Sequence, residues 1–260
     1  MRMKSIFRHE TILFLVVIVA LVILSIQAEQ FATIDNLLNQ GRFLTEVSLV
    51  ALIMTFVIVT GGIDLSVGSI LGLSAIVLGV AWKKLGLPLP LAILVALSVG
   101  TLAGLFNGVI ITRFKVPPLI ATLATLALYR GLAEGISQAR SIRGYPEWFF
   151  ILGQGEFFGI PTQLWIVAFF TLLTGFILTY TTWGRATYAI GANETAARFS
   201  GIAVDKTKLF IYAASGFAAS LAAIIFVSRV STTRSDMGMG LELDAITACL
   251  LYTSPSPRDL

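Results

Sequence analysis

The sequence has 260 residues, of which 57% are hydrophobic and only 12% are charged. Soluble domains carry about 25% charged residues, so this composition excludes a soluble protein and predicts a polytopic membrane protein. The net charge of +4 is modest, and no basic run with interleaved aromatic residues predicts nucleic-acid binding. A single cysteine, Cys249, excludes an intrachain disulfide and a cysteine-based metal site.

The chain begins with a basic segment followed by a long apolar run. Arg2, Lys4 and Arg8 precede the run, and by the positive-inside rule they predict a cytoplasmic N-terminus. The uncharged residues 11–28 are enough to cross about 30 Å of hydrocarbon. The run is too long for the apolar region of a cleaved signal peptide, so we interpret it as the first span.

Further apolar runs follow in order along the chain. They cover residues 47–63, 65–82, 85–112, 117–137, 163–182 and 209–228, and another begins after Asp244. These runs predict an all-α transmembrane helix bundle with about seven complete spans and a partial eighth. Alternation then makes residues 28–42 a polar outer connection and places residues 183–209 on the cytoplasmic side.

Glycines recur at four-residue spacing in the fourth run, at Gly100, Gly104 and Gly108. Small residues at this spacing let helix backbones approach closely in lipid, where packing replaces the hydrophobic drive. We therefore predict a helix-packing face, although glycine is also simply common in transmembrane helices. Asn107 lies beside this face and is expected to bond a neighbouring helix, with a contact to the transport path as the alternative.

The segment GGIDLSVGS, residues 61–69, places an aspartate among glycines at the end of an apolar run. One interpretation is a broken helix that lines a pathway through Gly61, Gly62 and Asp64. The other is a short cytoplasmic turn, in which Asp64 or Ser66 caps the next helix. The residue types alone favour the turn.

A second group of charges lies in the fifth run. Arg130 and Glu134 are four residues apart, so they share one helix face and are expected to pair. The pair is either an interfacial one at the helix end or a pair facing protein or a wet cavity.

The longest polar-rich segment between apolar runs is residues 183–209, which contains NETAARFSG. Asn193 is a suitable N-cap, and Glu194 suits the positive first turn of a helix. Arg198 suits the last turn, and Gly201 can adopt the left-handed conformation that ends a helix. We predict a short capped helix on the cytoplasmic face, where it has a partner to bind.

Several motifs for chemistry are absent from the sequence. Without G-x-x-x-x-G-K-[ST] the chain does not itself cradle ATP phosphates, and no cofactor is expected to bind to it. The lack of H-E-x-x-H and G-x-S-x-G gives no support to a membrane protease. Two alternatives stay open: a stand-alone secondary transporter or channel, and a membrane-embedded enzyme that would depend on Asp64, Arg130 or Glu134.

Four motifs together carry a resemblance to a known family. They are GGIDLSVGS at 61–69, FNGVIITRFKVPPLIATLATLALYRGLA at 106–133, GRATYAIGANETAARFSGI at 184–202 and GLELDAITA at 240–248. In this order and spacing the chain resembles the permease subunits of bacterial ABC importers for monosaccharides, the ribose, xylose, arabinose, rhamnose and autoinducer-2 branch.

The resemblance implies a type II importer fold in the bacterial inner membrane, similar to the membrane subunit of the vitamin B12 importer. Two permease subunits would pair, as a homodimer or a heterodimer, and sit on two cytoplasmic ATP-binding subunits that use the ATP. A periplasmic sugar-binding protein would deliver the substrate. The segment after the sixth span would hold the ATPase-coupling helix, a role that falls on Gly191, Asn193, Glu194, Ala197, Arg198, Ser200 and Gly201.

The sequence departs from the family after GLELDAITA. The apolar run 245–252 is too short to span, and the following Ser-Pro-Ser-Pro cannot continue a helix. We therefore expect residues 1–248 to form an incomplete permease domain and residues 249–260 to be a disordered tail foreign to the family.

Overall fold

The structure is a computed structural model that describes residues 9–28, 30–138 and 140–250, with side chains from Thr11 onward. The basic residues Arg2, Lys4 and Arg8, and most of the expected tail, lie outside the described residues. The chain divides into two compact units, Met1–Phe43 and Leu44–Leu260.

The first unit contains helix α1 (His9–Gln27) and the beginning of helix α2 (Ile34–Val59). The large apolar side chains of α1 are exposed, as expected of a helix that meets lipid. The predicted outer connection 28–42 is wrong in its second half, because α2 already begins at Ile34. Thr33 Oγ1 accepts the amide of Asn36 at 3.3 Å, and Asp35 lies in the first turn, so this polar stretch is itself a helix start.

The second unit is mostly helical. Its helices are the rest of α2, α3 (Val67–Lys83), α4 (Leu89–Arg113), α5 (Pro118–Ser137), α6 (Ile151–Gln154), α7 (Thr162–Tyr180), α8 (Thr182–Ala192), α9 (Glu194–Phe199), α10 (Val204–Val230) and α11 (Leu241–Leu250), with a 3₁₀ turn at Glu147–Phe150. Two-residue strands form two antiparallel pairs, β1 (Ile142–Arg143) with β4 (Thr232–Thr233) and β2 (Glu156–Phe157) with β3 (Ile160–Pro161).

The prediction of an all-α membrane bundle is confirmed. In the described part of the chain, five helices are long and apolar enough to cross a membrane, namely α2, α4, α5, α7 and α10. Two apolar helices are shorter, at Thr11–Gln27 within α1 and at α3. The partial run after Asp244 corresponds to α11, whose ten residues are too few to span.

Helix α3 is the centre of the second unit. Most of its residues are buried, from Val67 to Ala81, and it packs against α4, α5 and α10. At 1.5 Å per residue α3 is about 25 Å long, shorter than the hydrocarbon core. Longer helices surround α3, and almost every face of it touches protein. Its sequence is accordingly apolar on all sides, as expected of a buried helix.

Helices α4 and α10 pack closely against each other through the predicted glycine face. A Cβ at Gly104 would lie 2.1 Å from the carbonyl oxygen of Tyr212, and one at Gly216 would lie 2.1 Å from that of Gly100. Ser220 fills the space opposite Gly100. The backbones touch directly, which requires residues without a side chain at these positions.

We expect Gly104→Ala to destabilise the bundle, because the new methyl group must push α10 away from α4. The free energy of unfolding should fall by about 1–3 kcal/mol, as in other overpacked cores. Thermal unfolding of the detergent-solubilised chain, followed by size-exclusion chromatography, measures the change.

Gly131→Ala on α5 is the matched control, because no atom lies within 4 Å of the position that a Cβ would take there. Alanine is the better helix former, so this variant should be neutral or slightly more stable. Equal stability of the two variants would contradict the packing role of Gly104.

Candidate functional site

A turn with two glycines connects α2 and α3. Gly61 has a φ of +77°, a left-handed conformation that a side chain would strain. A Cβ at Gly62 would lie 2.7 Å from the hydroxyl oxygen of Tyr212 on α10. The two glycines therefore allow a tight turn that α10 covers.

Asp64 lies in this turn and is completely buried. Its Oδ1 accepts the Ser66 amide at 3.0 Å and the Ser66 hydroxyl at 2.6 Å. Its Oδ2 accepts the hydroxyl of Ser215 on α10 at 2.8 Å. Within the described residues no cationic side chain pairs with Asp64, so hydroxyl and amide donors alone compensate its burial.

The hydrogen bonds continue from Ser66 to α4 and α5. Asn107 Nδ2 donates to the Ser66 hydroxyl oxygen at 2.7 Å. The Tyr129 hydroxyl donates to the carbonyl of Ala103 at 2.8 Å and lies 3.3 Å from Asn107 Oδ1. Asp64, Ser66, Asn107 and Ser215 thus form one buried polar cluster, which we call the Asp64 cluster.

The structure does not show the side-chain cap expected at the start of α3. Ser66 occupies the N-cap position without a side-chain capping bond, and Asp64 accepts the amide of Ser66 itself. Asp64 is buried, however, and its hydrogen bonds lead to α4 and α10, which the sequence pattern did not indicate. Asn107 forms hydrogen bonds with neighbouring residues inside the bundle. Among the described residues, no group of His, Cys, Asp or Glu could hold a metal ion.

The expected ion pair between Arg130 and Glu134 does not form. The Arg130 guanidinium donates to the backbone carbonyls of Ser235 at 2.5 Å and Met237 at 3.0 Å, and to that of Gly68 at 3.3 Å. Glu134, four residues further along α5, is exposed. The carbonyls of Ser235 and Met237 lie outside any helix, so the guanidinium supplies donors to backbone groups that have no helical partner.

The predicted short helix is α9, with the caps expected from the sequence. Asn193 Oδ1 accepts the amide of Ala196 at 2.9 Å, and Gly201 has a φ of +84°. The amide of Ile202 donates to the Ala197 carbonyl and that of Gly201 to the Arg198 carbonyl, both at 3.1 Å. Together these bonds form a Schellman motif that closes the helix.

Charged side chains hold α9 on the first turns of α10. Glu194 pairs with Arg198 at 3.4 Å and with Lys208 at 2.6 Å. The two terminal guanidinium nitrogens of Arg198 each donate to a carboxylate oxygen of Asp205 at 2.9 Å. Lys115 Nζ also donates to Asp205 Oδ1, at 2.9 Å. We call these five residues the α9 charge network.

The network keeps the Glu194 carboxyl ionised. The hydrogen bond from Lys208 lowers the pKa of the Glu194 carboxyl below its usual range, and Arg198 lowers it further. Because the pKa of Glu194 is lower in the folded chain than in the unfolded chain, its ionised carboxylate stabilises the fold at neutral pH. This stabilisation is lost only as the pH falls through the lowered pKa.

The two sides of α9 differ in character. Ala197 is buried against Ile190 and Val204. Phe199, by contrast, is 89% exposed, although it is the largest apolar residue of the helix. Ser200 and Gly201 are also exposed.

Gly191 precedes α9 and lies against the end of α2, because a Cβ there would come within 1.9 Å of the Val59 carbonyl oxygen. The predicted residues of the 191–201 segment thus lie together. The sequence analysis missed Phe199, Asp205 and Lys115, although an aromatic residue in a short polar helix could have indicated Phe199.

Comparison with protein families gives one match over most of the chain. Residues 34–252 match the family described as branched-chain amino acid transport system / permease component. The comparison with solved structures gives no match.

Individual relatives are similar over nearly the whole chain. The ribose import permease protein of Haemophilus influenzae is 39% identical over 242 residues, which cover 92% of this chain and 75% of that protein. The ribose import permease protein of Bacillus subtilis is 40% identical over 241 residues, or 92% and 74%. The autoinducer 2 import system permease protein of Enterobacter sp. is 39% identical over 203 residues, or 78% and 59%.

We expect Asp64→Ala to destabilise the bundle strongly, because it leaves the Ser66 amide and the Ser215 hydroxyl without an acceptor. Each buried unsatisfied donor costs about 1–3 kcal/mol. Asp64→Asn retains an acceptor oxygen and should cost less. Thermal unfolding in detergent orders the variants, and Ser98→Ala, an exposed serine on α4, should be neutral. Equal stability of Asp64→Ala and Ser98→Ala would contradict the role of the Asp64 cluster.

Proposed function

The chain belongs to the family of transport-system permease components that its residues 34–252 match, and from this membership we propose that it is the membrane-spanning subunit of an ATP-driven sugar importer. The transported molecule is a monosaccharide or a related small polyol-like compound. The observation that carries this proposal is the similarity to ribose import permeases over 92% of the chain. The permease lowers the barrier to crossing and makes no covalent change.

The proposed assembly follows from the same similarity. Two permease subunits pair in the bacterial inner membrane, two ATP-binding subunits dock on the cytoplasmic face, and a periplasmic sugar-binding protein delivers the substrate. Each permease has a type II importer-like bundle of about seven complete spans and a partial eighth, with a cytoplasmic N-terminus. ATP is used by the partner subunits.

Helix α9 is the element that contacts the ATP-binding subunit. A coupling element must move as one body, because a flexible loop would absorb the displacement that ATP binding produces. The caps at Asn193 and Gly201 supply that rigidity within α9. The α9 charge network makes the connection between α9 and α10 rigid, so a displacement of α9 is transmitted to a helix of the membrane bundle.

Within α9, the charged side chains and the aromatic side chain have different tasks. Glu194 and Arg198 bind charges of the chain itself, so they set the position of the helix. Phe199 is 89% exposed and projects from the end of α9. Aromatic residues that fill a pocket of a partner commonly dominate binding, so Phe199 is the anchor that enters the ATP-binding subunit.

The import function predicts uptake that depends on both partners. Vesicles containing the permease, its ATP-binding subunit and its sugar-binding protein should accumulate labelled ribose or another monosaccharide only when ATP is supplied. Uptake without the ATP-binding subunit, driven by an ion gradient, would contradict the proposal and favour a stand-alone transporter.

We expect Phe199→Ala to weaken co-purification of the ATP-binding subunit at least tenfold, because the anchor is lost while α9 keeps its caps and its charge network. Arg198→Ala should also weaken it, through loss of the ion pair with Asp205. Quantitative pull-down from detergent extracts measures both effects.

The matched control is Phe176→Ala on α7, which removes an equally large exposed ring from a membrane-spanning helix. This variant should bind the ATP-binding subunit as strongly as the unmodified chain does. Normal binding by Phe199→Ala would show that α9 is not anchored by this ring.

A further inference from the structure

The segment between β4 and α11 is irregular, and its middle is buried in the second unit. Residues 234–240 form turns, with Gly238 and Gly240 at φ values of +72° and +84°. Met237 and Gly238 are buried, whereas Arg234, Asp236 and Met239 are not. We call residues 234–240 the turn segment.

The turn segment reaches membrane depth. Arg130, which binds two of its carbonyls, lies roughly 18 Å along α5 from Pro118 and about 10 Å from Ser137, at 1.5 Å per residue. Side chains on a helix point back toward its N-terminus, so the guanidinium lies still nearer the middle. Irregular backbone at this depth is tolerated only where it is buried in protein or lines a wet cavity.

Helix α3 has a groove that admits the turn segment. A Cβ at Gly68 would lie 2.3 Å from the carbonyl oxygen of Gly238, and one at Gly72 would lie 3.0 Å from that of Met237. The Cβ added at Gly72 would also lie 2.7 Å from Arg130 Nη1. Two glycines and one guanidinium therefore fix the position of the turn segment.

The other end of the turn segment opens into a polar pocket. Its lining is charged and hydroxylic, and consists of Arg140, Ser141, Arg143, Arg234, Ser235 and Asp236. From this pocket the segment descends to Gly68 at the start of α3, two residues beyond Ser66 of the Asp64 cluster. The turn segment thus extends from a polar pocket to the start of α3, in the interior of the bundle.

We propose that the turn segment lines the path of the sugar through the permease, and that Arg130 is the positioning residue that holds it against α3. Neutral polyhydroxyl molecules are bound by backbone carbonyls and amides and by polar side chains, which this irregular segment presents and a regular helix does not. The part of the inference that concerns the sugar rests on the proposed function. The role of Arg130 does not, because it stands on the geometry of one chain.

The position of the turn segment can be tested by thiol labelling in membrane vesicles. Cys249→Ser removes the single native cysteine, and Met237→Cys then places a buried reporter on the segment. With Arg130 present, labelling by a water-soluble maleimide should be slow. Arg130→Ala should accelerate it at least tenfold, and Arg130→Lys, which can bind fewer carbonyls, should give an intermediate rate.

Two controls separate release of the segment from general unfolding. A reporter at Ala96→Cys, which is buried on α4, should label slowly with or without Arg130. Glu134→Ala, one turn further along α5, should leave the Met237→Cys rate unchanged. An unchanged rate in Arg130→Ala, or equal acceleration of both reporters, would overturn the positioning role.

Should Arg130→Ala fail to insert, Gly72→Ala gives the same test by a different route. Its methyl group would collide with the guanidinium and with the Met237 carbonyl, so it should also speed labelling of Met237→Cys. Slow labelling in a stably inserted Gly72→Ala chain would overturn the proposal.

The assembled importer tests the connection with transport. Arg130→Ala should lower ATP-dependent sugar uptake at least tenfold while the ATP-binding subunit still co-purifies and hydrolyses ATP at the unmodified rate. Arg130→Lys should restore part of the uptake. Unchanged uptake would overturn the path-lining role, whereas absence of uptake by the unmodified importer would overturn the proposed function and leave the labelling result to decide the role of Arg130.

Discussion

The direct contact between the backbones of α4 and α10 is the constraint on which the rest of the second unit depends. Gly104 and Gly216 bring the two helices so close that a single added carbon would meet a backbone oxygen. Asn107 and Ser215 lie next to this contact in the sequence, and both reach the turn that contains Asp64. The buried carboxylate is therefore satisfied only because the glycines fix the separation of α4 and α10.

Helix α10 carries polar contacts at both ends and in its middle. Asp205 in its first turn binds α9, Ser215 binds Asp64, and Arg229 in its last turn pairs with Glu46 of α2 at 3.0 Å. A helix of 27 residues is about 40 Å long, so these contacts are spread over the whole thickness of a bilayer. A displacement at α9 consequently acts on a single continuous body that touches α2, α4 and the α2–α3 turn.

Local features of the chain could be predicted from the sequence, whereas contacts between distant residues could not. The N-cap at Asn193, the left-handed Gly201 and the helical character of the apolar runs depend on neighbours within a few residues. The partners of Arg130 depend on a segment 105 residues away, so spacing alone favoured Glu134 instead. The burial of Asp64 likewise depends on Ser215, whose distance of 151 residues along the chain leaves no local signal.

The Asp64 carboxyl and the Arg130 guanidinium are bound by neutral groups, whereas the charged side chains near α9 are bound by opposite charges. Asp64 is held by hydroxyls and an amide, and Arg130 by backbone carbonyls. The ion pairs near α9 are largely exposed, so water weakens each one, and they hold the helix because several of them act together. A hydrogen bond between a charged group and a neutral dipole contributes about 1.5–3 kcal/mol, and one neutral dipole can replace another without leaving a charge unpaired. Neutral partners therefore allow the groups around Asp64 and Arg130 to be exchanged, whereas the linked ion pairs of the α9 charge network keep α9 in one position on α10.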